Sequence, residues 1–179
     1  MSGSFPIRLS AHYFLRPFQD DDKHALTKHA NNKAISDNMH NGFPYPYTDM
    51  HAEAFIRRAN TEFPYKMLAI AEDDGVIGAT GIWPQSDLNC LNGELGYWLA
   101  EDHWNKGIAT MTVKAMLRYG FLQFGLNRIY ARPFPENHAS RRVLEKSGFH
   151  LEARLKQSMV KNGVIFDELI YAILKEDFH

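Results

Sequence analysis

The segment 93–133 restricts the fold more than any other part of this chain. "GELGYWLA" (93–100) has the aromatic and apolar content of a strand, and "NRIYARP" (127–133) reads as another. Between them, "EDHWNKGIATMTVKAML" (101–117) passes from polar residues into an apolar pattern. Ile108, Met111, Ala115, Tyr119 and Leu122 recur at helical spacing. A strand, a helix and a second strand of one sheet imply a parallel pair with the helix crossing over it.

The rest of the chain surrounds that unit with adjacent strands. "HYFLRPF" (12–18) reads as a strand, and "DDDKHALTKHANN" (20–32) as a helix whose acidic start suits the helix dipole. "FPYPYT" (43–48) is an aromatic loop punctuated by proline, and Thr48 is placed to cap a helix over 49–63. "YKMLAIAE" (65–72) and "GVIGATGIW" (75–83) are strands joined by a "DDG" turn, followed by a polar loop over 84–92. "NHASRRVLEKSG" (137–148) is a helix closed by glycine, and the two apolar runs around "KNG" form a hairpin. The expected architecture is α/β: a mixed, mostly antiparallel sheet with a central parallel pair and flanking helices. With no linker or repeat, residues 1–179 read as a single domain.

Composition narrows the function classes. The 179 residues carry a formal net charge of -1, which argues against a broad nucleic-acid or membrane-surface footprint. No apolar run reaches membrane length, and "MSGSFPIRLS" lacks the apolar stretch of a signal peptide, so a cytoplasmic location is expected. The single cysteine, Cys90, has no partner for an internal disulfide and no base signature beside it. The nine histidines show no HExxH or Cys/His spacing, so no metal is expected.

A helix that begins on Gly107 invites an anion. The first N–H groups of a helix lack intrahelical partners and carry partial positive charge, and glycine lets a ligand approach them. Ala109 keeps that surface flat, Thr110 offers a hydroxyl and Lys106 a full charge. From these residues alone, an anion site and a helix that simply follows a polar turn both remain open. The NTPase phosphate loop and GxGxxG are both absent. Upstream, alternation puts Glu94, Gly96 and Trp98 on one face of their strand and Leu95, Tyr97 and Leu99 on the other. A carboxylate sharing a face with Trp98 would lose water and become a better base; a solvated carboxylate is the plainer alternative.

Five pieces of the chain, in this order, resemble the GNAT superfamily of acetyl-CoA-dependent N-acetyltransferases, and within it the ribosomal-protein alanine N-acetyltransferase group. They are "LRPF..DD", "FPYPYT", "ELGYWLAEDHWNKGIAT", "GLNRIYARPFPENHASRRVLEKSGF" and "KNGVIFDELIYAIL". The resemblance implies that the turn of Asn105, Lys106, Gly107, Ile108, Ala109 and Thr110 cradles the coenzyme pyrophosphate. It implies that backbone groups around Trp98, Leu99 and Ala100 pair with the pantetheine arm, where Asn137 also contributes. Arg142 could reach the coenzyme phosphates. Glu94 is implied as the base. The family's usual tyrosine acid falls on Leu144, leaving Ser140 as the acid. The aromatic loop (Phe43, Tyr45, Tyr47) walls the acceptor side, with His40 and Trp83 joining it. The expected reaction is direct transfer of acetyl from acetyl-CoA to a primary amine, either a protein N-terminus or a small molecule, by a monomer or homodimer. A non-catalytic acetyl-CoA-binding module is the alternative.

Overall fold

The computed structural model describes residues 5–179. In chain order the elements are β1 (Ile7–Arg8), β2 (Phe14–Arg16), α1 (Lys23–Ala30), α2 (Lys33–Ser36), α3 (Asp49–Ala59), β3 (Met67–Glu72), β4 (Gly75–Pro84), β5 (Asn92–Leu99), α4 (Ile108–Gln123), β6 (Arg128–Ala131), α5 (His138–Lys146), β7 (His150–Lys161) and β8 (Val164–Leu174). The strands form one eight-stranded sheet in the order β1-β2-β3-β4-β5-β6-β8-β7. Every neighbouring pair is antiparallel except β5 and β6, which are parallel, as the 93–133 pattern requires.

β3 and β4 are buried almost throughout, and their small and branched residues suit strands covered on both faces. One face packs under α4: Ile82, Leu95, Leu99, Val113, Met116, Leu117 and Ile129 share a cluster. The other face packs under α1 and α3, where Leu26, Ala52, Ile56, Ala69 and Trp98 form a second cluster. Leu95 and Leu99 thus face α4 while Trp98 faces α3, the alternation expected for this strand. The tight turns also follow the sequence. Asn162 (φ 50°) and Gly163 (φ 78°) close the β7–β8 hairpin in the left-handed region that a two-residue turn demands.

Several local expectations needed correction. The helix expected over 20–32 is divided. Asp20–Asp22 form a single tight turn, α1 ends at Ala30, and Asn32 caps the separate α2 by accepting from Ala34 N–H at 2.8 Å. Asp22 does more than complement a dipole, because both its oxygens accept from Arg16 at 2.7 Å and pin the turn to β2. β1 escaped notice because two residues carry no periodicity. α3 ends at Ala59 rather than 63. On α4 the expected Ile108 and Tyr119 are buried and Met111 and Ala115 pack partly buried against the core, whereas Leu122 is exposed and the stripe is wider, with Thr112, Val113, Met116, Leu117, Gly120 and Phe121 also buried.

Gly120 lies in that stripe at a close approach of helix to sheet. A Cβ at this position would lie 2.6 Å from Ile82 Cδ1 and 2.8 Å from Ile129 Cδ1. Gly120→Val is expected to destabilise the protein by about 1–3 kcal/mol through overpacking. Urea unfolding would show this as a lower midpoint with an unchanged slope. An unchanged midpoint would mean that the helix has room to shift.

Candidate functional site

The site begins where β6 stops. β5 pairs with β6 through Asn92–Arg128, Gly93–Ile129 and Glu94–Tyr130, and no further. After Ala131 the chain reads Arg132-Pro133-Phe134-Pro135, and proline has no N–H with which to extend a ladder. β5 continues to Leu99 on β4 alone, so a gap opens along its other edge. Ala100 N–H donates to the Ile77 carbonyl on β4 at 2.8 Å. Alternation from that bond turns the backbone of Trp98 toward β4 as well, and turns Leu95, Tyr97 and Leu99 into the gap. Of the three residues expected to offer backbone groups there, only Leu99 faces it, and its carbonyl already accepts from the Trp104 indole at 2.8 Å. Tyr97 is the neighbour that sequence reasoning passed over.

Beyond the gap the chain makes a tight turn, through Asn105 (φ 61°) and Gly107 (φ 77°), into α4. No side chain caps this helix. Met111 N–H is the first to find a helical acceptor, the Gly107 carbonyl at 3.1 Å, which leaves the amides of Ile108, Ala109 and Thr110 without an intrahelical partner. Ile108 is buried and anchors the turn, whereas Asn105, Lys106 and Gly107 are exposed. A Cβ on Gly107 would meet nothing within 4 Å, so its need for glycine is conformational and the space above it is open.

Glu94 stands where the strands part, and it is engaged by partners that no local pattern suggested. Arg132, the first residue past β6, donates to both Glu94 oxygens at 2.9 Å and to Glu168 of β8 at 2.9 Å. The bonds to Glu94, then those to Glu168, hold the Arg132 guanidinium above its ordinary value against the opposing effect of burial. Ser158 donates to the other Glu168 oxygen at 3.2 Å. Trp83 and Tyr130 are the cross-strand partners of Glu94 and share its face. Arg132, Glu168 and Tyr130 had no signal in the spacing. The sequence placed Arg132 inside a strand over 127–133, whereas β6 ends at Ala131 and Arg132 follows it.

Ser140 reaches the gap from α5. Asn137 caps that helix, its Oδ1 accepting from Ser140 N–H at 3.0 Å, and Ser140 Oγ lies 2.9 Å from the Tyr97 hydroxyl. Tyr97 thereby joins β5 to α5 where β6 no longer lies between them. Burial pushes its phenol up to about 12, with the Ser140 hydrogen bond opposing. Leu144 is fully buried in the core and presents no group to the gap. Arg142 lies on the exposed side of α5.

The aromatic wall divides in two. Phe43 stacks at 5.4 Å on Tyr47 and at 6.1 Å on Trp98, which makes Tyr47 core rather than lining. Tyr45 is exposed, as is Trp83. Burial lowers His40, and so do the positive charges of Arg58 and Lys161, while Glu94 acts in the opposite direction. Cys90 is exposed and free, away from these groups on the turn before β5. Among the described residues no group of His, Cys, Asp or Glu could hold a metal, and no helix is long and apolar enough to cross a membrane.

A family model for the acetyltransferase (GNAT) domain matches residues 12–150. The chain belongs to the GNAT acetyltransferase family. Its GNAT relatives include the uncharacterized N-acetyltransferase YoaA of Bacillus subtilis, 42% identical over 82 residues, a match covering 46% of each chain. The ribosomal-protein-serine acetyltransferase of Escherichia coli is 32% identical over 107 residues, covering 60% of this chain and 59% of that one. The chain therefore spans about half of these curated relatives' length. Among solved structures, Mycobacterium smegmatis RimJ, in complex with a CoA disulfide, superposes with a TM-score of 0.81 at 26% identity, covering 92% of this chain and 82% of that one. Thus the fold and family expected from the five motif pieces hold.

Burial of tyrosines in this GNAT chain has a measurable consequence. Tyr47, Tyr97 and Tyr119 are all pushed up to about 12 by burial. An unfolded tyrosine titrates near 10. Above that pH the unfolded chain releases protons that the folded chain keeps, so their contribution is complete below about pH 10 and is lost as pH rises toward 12. Tyr97→Phe should therefore flatten the alkaline fall in unfolding free energy, measured by urea titration at several pH values. An unaltered slope would place the Tyr97 phenol in water.

Proposed function

We propose that this chain transfers an acetyl group from acetyl-CoA to a primary amine by direct attack in a ternary complex. The observation that carries the reading is the open edge of β5 running from Glu94 to the uncapped first turn of α4. It provides free backbone groups for an extended arm, and unpartnered amides for phosphates at its far end. The E. coli relative, a ribosomal-protein-serine acetyltransferase, and the CoA-bound RimJ structure support the same reading. They favour a protein N-terminus as the acceptor, with small-molecule amines as the alternative. The cytoplasm is the compartment where both acetyl-CoA and such acceptors occur.

In this scheme the Ile108, Ala109 and Thr110 amides bind the pyrophosphate, with Lys106 as counter-charge. The Tyr97 and Leu99 backbone edge guides the pantetheine arm and donates to the carbonyl oxygen, which gains negative charge as the amine adds. Glu94 takes the amine proton, directly or through water, and Arg132 fixes its orientation. The C–N bond forms as the carbonyl π pair moves to oxygen; when the carbonyl re-forms, the C–S bond breaks and the sulfur leaves with the bonding pair. Ser140 donates a proton to that sulfur or relays one from water. Tyr97 is its positioning residue, with its hydroxyl 2.9 Å from Ser140 Oγ and donating to the Ser140 carbonyl at 3.3 Å. Asn137 holds the start of α5, and Arg142 reaches the coenzyme phosphates from its exposed face. Cys90 takes no part, since the acetyl group passes straight to nitrogen.

Two measurements test the halves of this scheme separately. Gly107 is a poor probe because its positive φ would strain any replacement. Ala109→Asp instead suits the helix dipole and should not lower stability, yet its charge would repel phosphates. Coenzyme A affinity, measured by calorimetry, should fall about tenfold or more. Retained affinity would put the phosphates elsewhere. Glu94→Gln should reduce turnover by about 10²-fold at neutral pH and by less at high pH, where the amine is already free. Full activity at neutral pH would falsify the assignment of Glu94. Tight coenzyme binding without transfer to any amine of a broad panel would instead favour a non-catalytic acetyl-CoA-binding module.

A further inference from the structure

The β7–β8 hairpin buries a cation that has no carboxylate to neutralise it. Lys161, the last residue of β7, is only 8% exposed. Its Nζ donates to the Met39 carbonyl at 2.8 Å, and among the described residues this is its one hydrogen bond and it makes no salt bridge. An ammonium has three donors. Buried charges are normally paired, and among the described residues the remaining donors have no acceptor, so they are free for a ligand.

The space beside Lys161 has room for that partner. A cavity of about 580 Å³ lies between the α2–α3 region and the hairpin tip, lined by Lys33, Ser36, Asp37, Phe43, Lys161 and Asn162, among others. Lys33 and Asp37 neutralise each other, with Nζ 2.6 Å from Oδ2, which leaves Lys161 as the uncompensated charge of the wall. One net positive charge with hydroxyl and amide donors around it suits a monoanion better than a phosphate dianion. Two residues of the aromatic loop, Phe43 and Tyr45, line the cavity, and His40 on the same segment feels the charges of both Lys161 and Glu94.

We propose that this cavity is an acceptor subsite that binds a carboxylate through Lys161, so that the preferred substrate is a primary amine bearing a carboxylate beyond the amino group. Glu94 would receive the amine and Lys161 the acid, which orients the acceptor across the sheet. The inference rests on the acetyl-transfer reading for its purpose, but the anion site can be tested without turnover.

The test uses the full chain saturated with coenzyme A and matched peptides carrying Asp or Asn at the second, third or fourth position. A second arm compares free amino acids with their α-amides, separating a polypeptide source from a metabolite. Calorimetry should show one acid-bearing ligand binding about tenfold or more tighter than its neutral twin. In Lys161→Met that preference should vanish, and Lys161→Arg should retain it. Equal binding of acid and neutral twins by the wild-type chain in both arms would overturn the proposal, whatever the variants do. So would a preference that survives in Lys161→Met. Mass spectrometry of the same mixtures with acetyl-CoA reads transfer independently. Acid preference without any acetylated product supports the carboxylate site while sinking the enzymatic reading.

Discussion

The parting of β5 from β6 after Glu94 is the constraint on which the rest of the site depends. It arises from a short strand and two prolines. β6 lasts four residues because Pro133 and Pro135 cannot donate to a neighbouring strand. β5 has no such limit, since β4 pairs with it through Leu99. One edge of β5 is therefore left with unpaired backbone in the middle of an eight-stranded sheet. Unpaired backbone in such a place is costly unless something occupies it, and an extended arm with amide groups would satisfy it. The same event sets the position of Arg132. As the first residue released from the ladder, it is free to turn back across the sheet and hold Glu94 and Glu168 together.

The two sides of the gap are closed by different means. On the α4 side a left-handed glycine starts a helix with no side-chain cap, so the chain leaves amide donors exposed. On the α5 side Asn137 does cap the helix, and Ser140, held by that cap, meets Tyr97. One helix start is spent on its own cap and presents a side chain; the other keeps its donors for a ligand. The contrast follows from single residues, Gly107 and Asn137, at equivalent points of two helices.

Much of this was legible in the sequence, for identifiable reasons. The parallel pair followed from a strand–helix–strand pattern, the hairpins from "DDG" and "KNG", and the face of Trp98 from simple alternation. What escaped was side-chain geometry across distant parts of the chain. Glu94 was read either as a desolvated base beside Trp98 or as a solvated carboxylate. It does share that strand face, but its oxygens are engaged by a residue 38 positions away, which no local pattern encodes. Tyr97 was placed on the correct face and given no role, because its partner Ser140 lies on another element. The α4 stripe proved wider than its apolar spacing suggested, because Thr112 and Gly120 are buried yet do not register in an apolar pattern.

The charges along the acceptor side acquire a direction once these contacts are known. Near the gap, Glu94, Arg132 and Glu168 form a group of two carboxylates and one guanidinium, with one negative charge in excess. Near the hairpin tip, Lys33, Asp37 and Lys161 form the opposite group, with one positive charge in excess. Between them stands His40, which burial and the nearby cations disfavour from carrying a proton, so it adds little charge of its own. An amine arriving as its ammonium would be drawn to the first group and could surrender its proton there, while an acid on the same molecule would be drawn to the second. Neither group alone selects an orientation, because a single point charge attracts an opposite charge from any direction. Two groups of opposite sign held apart by the fold do select one. The β7–β8 hairpin carries a residue of each, Glu168 along β8 and Lys161 at the turn, so its packing against the loop at Met39 sets the spacing between them.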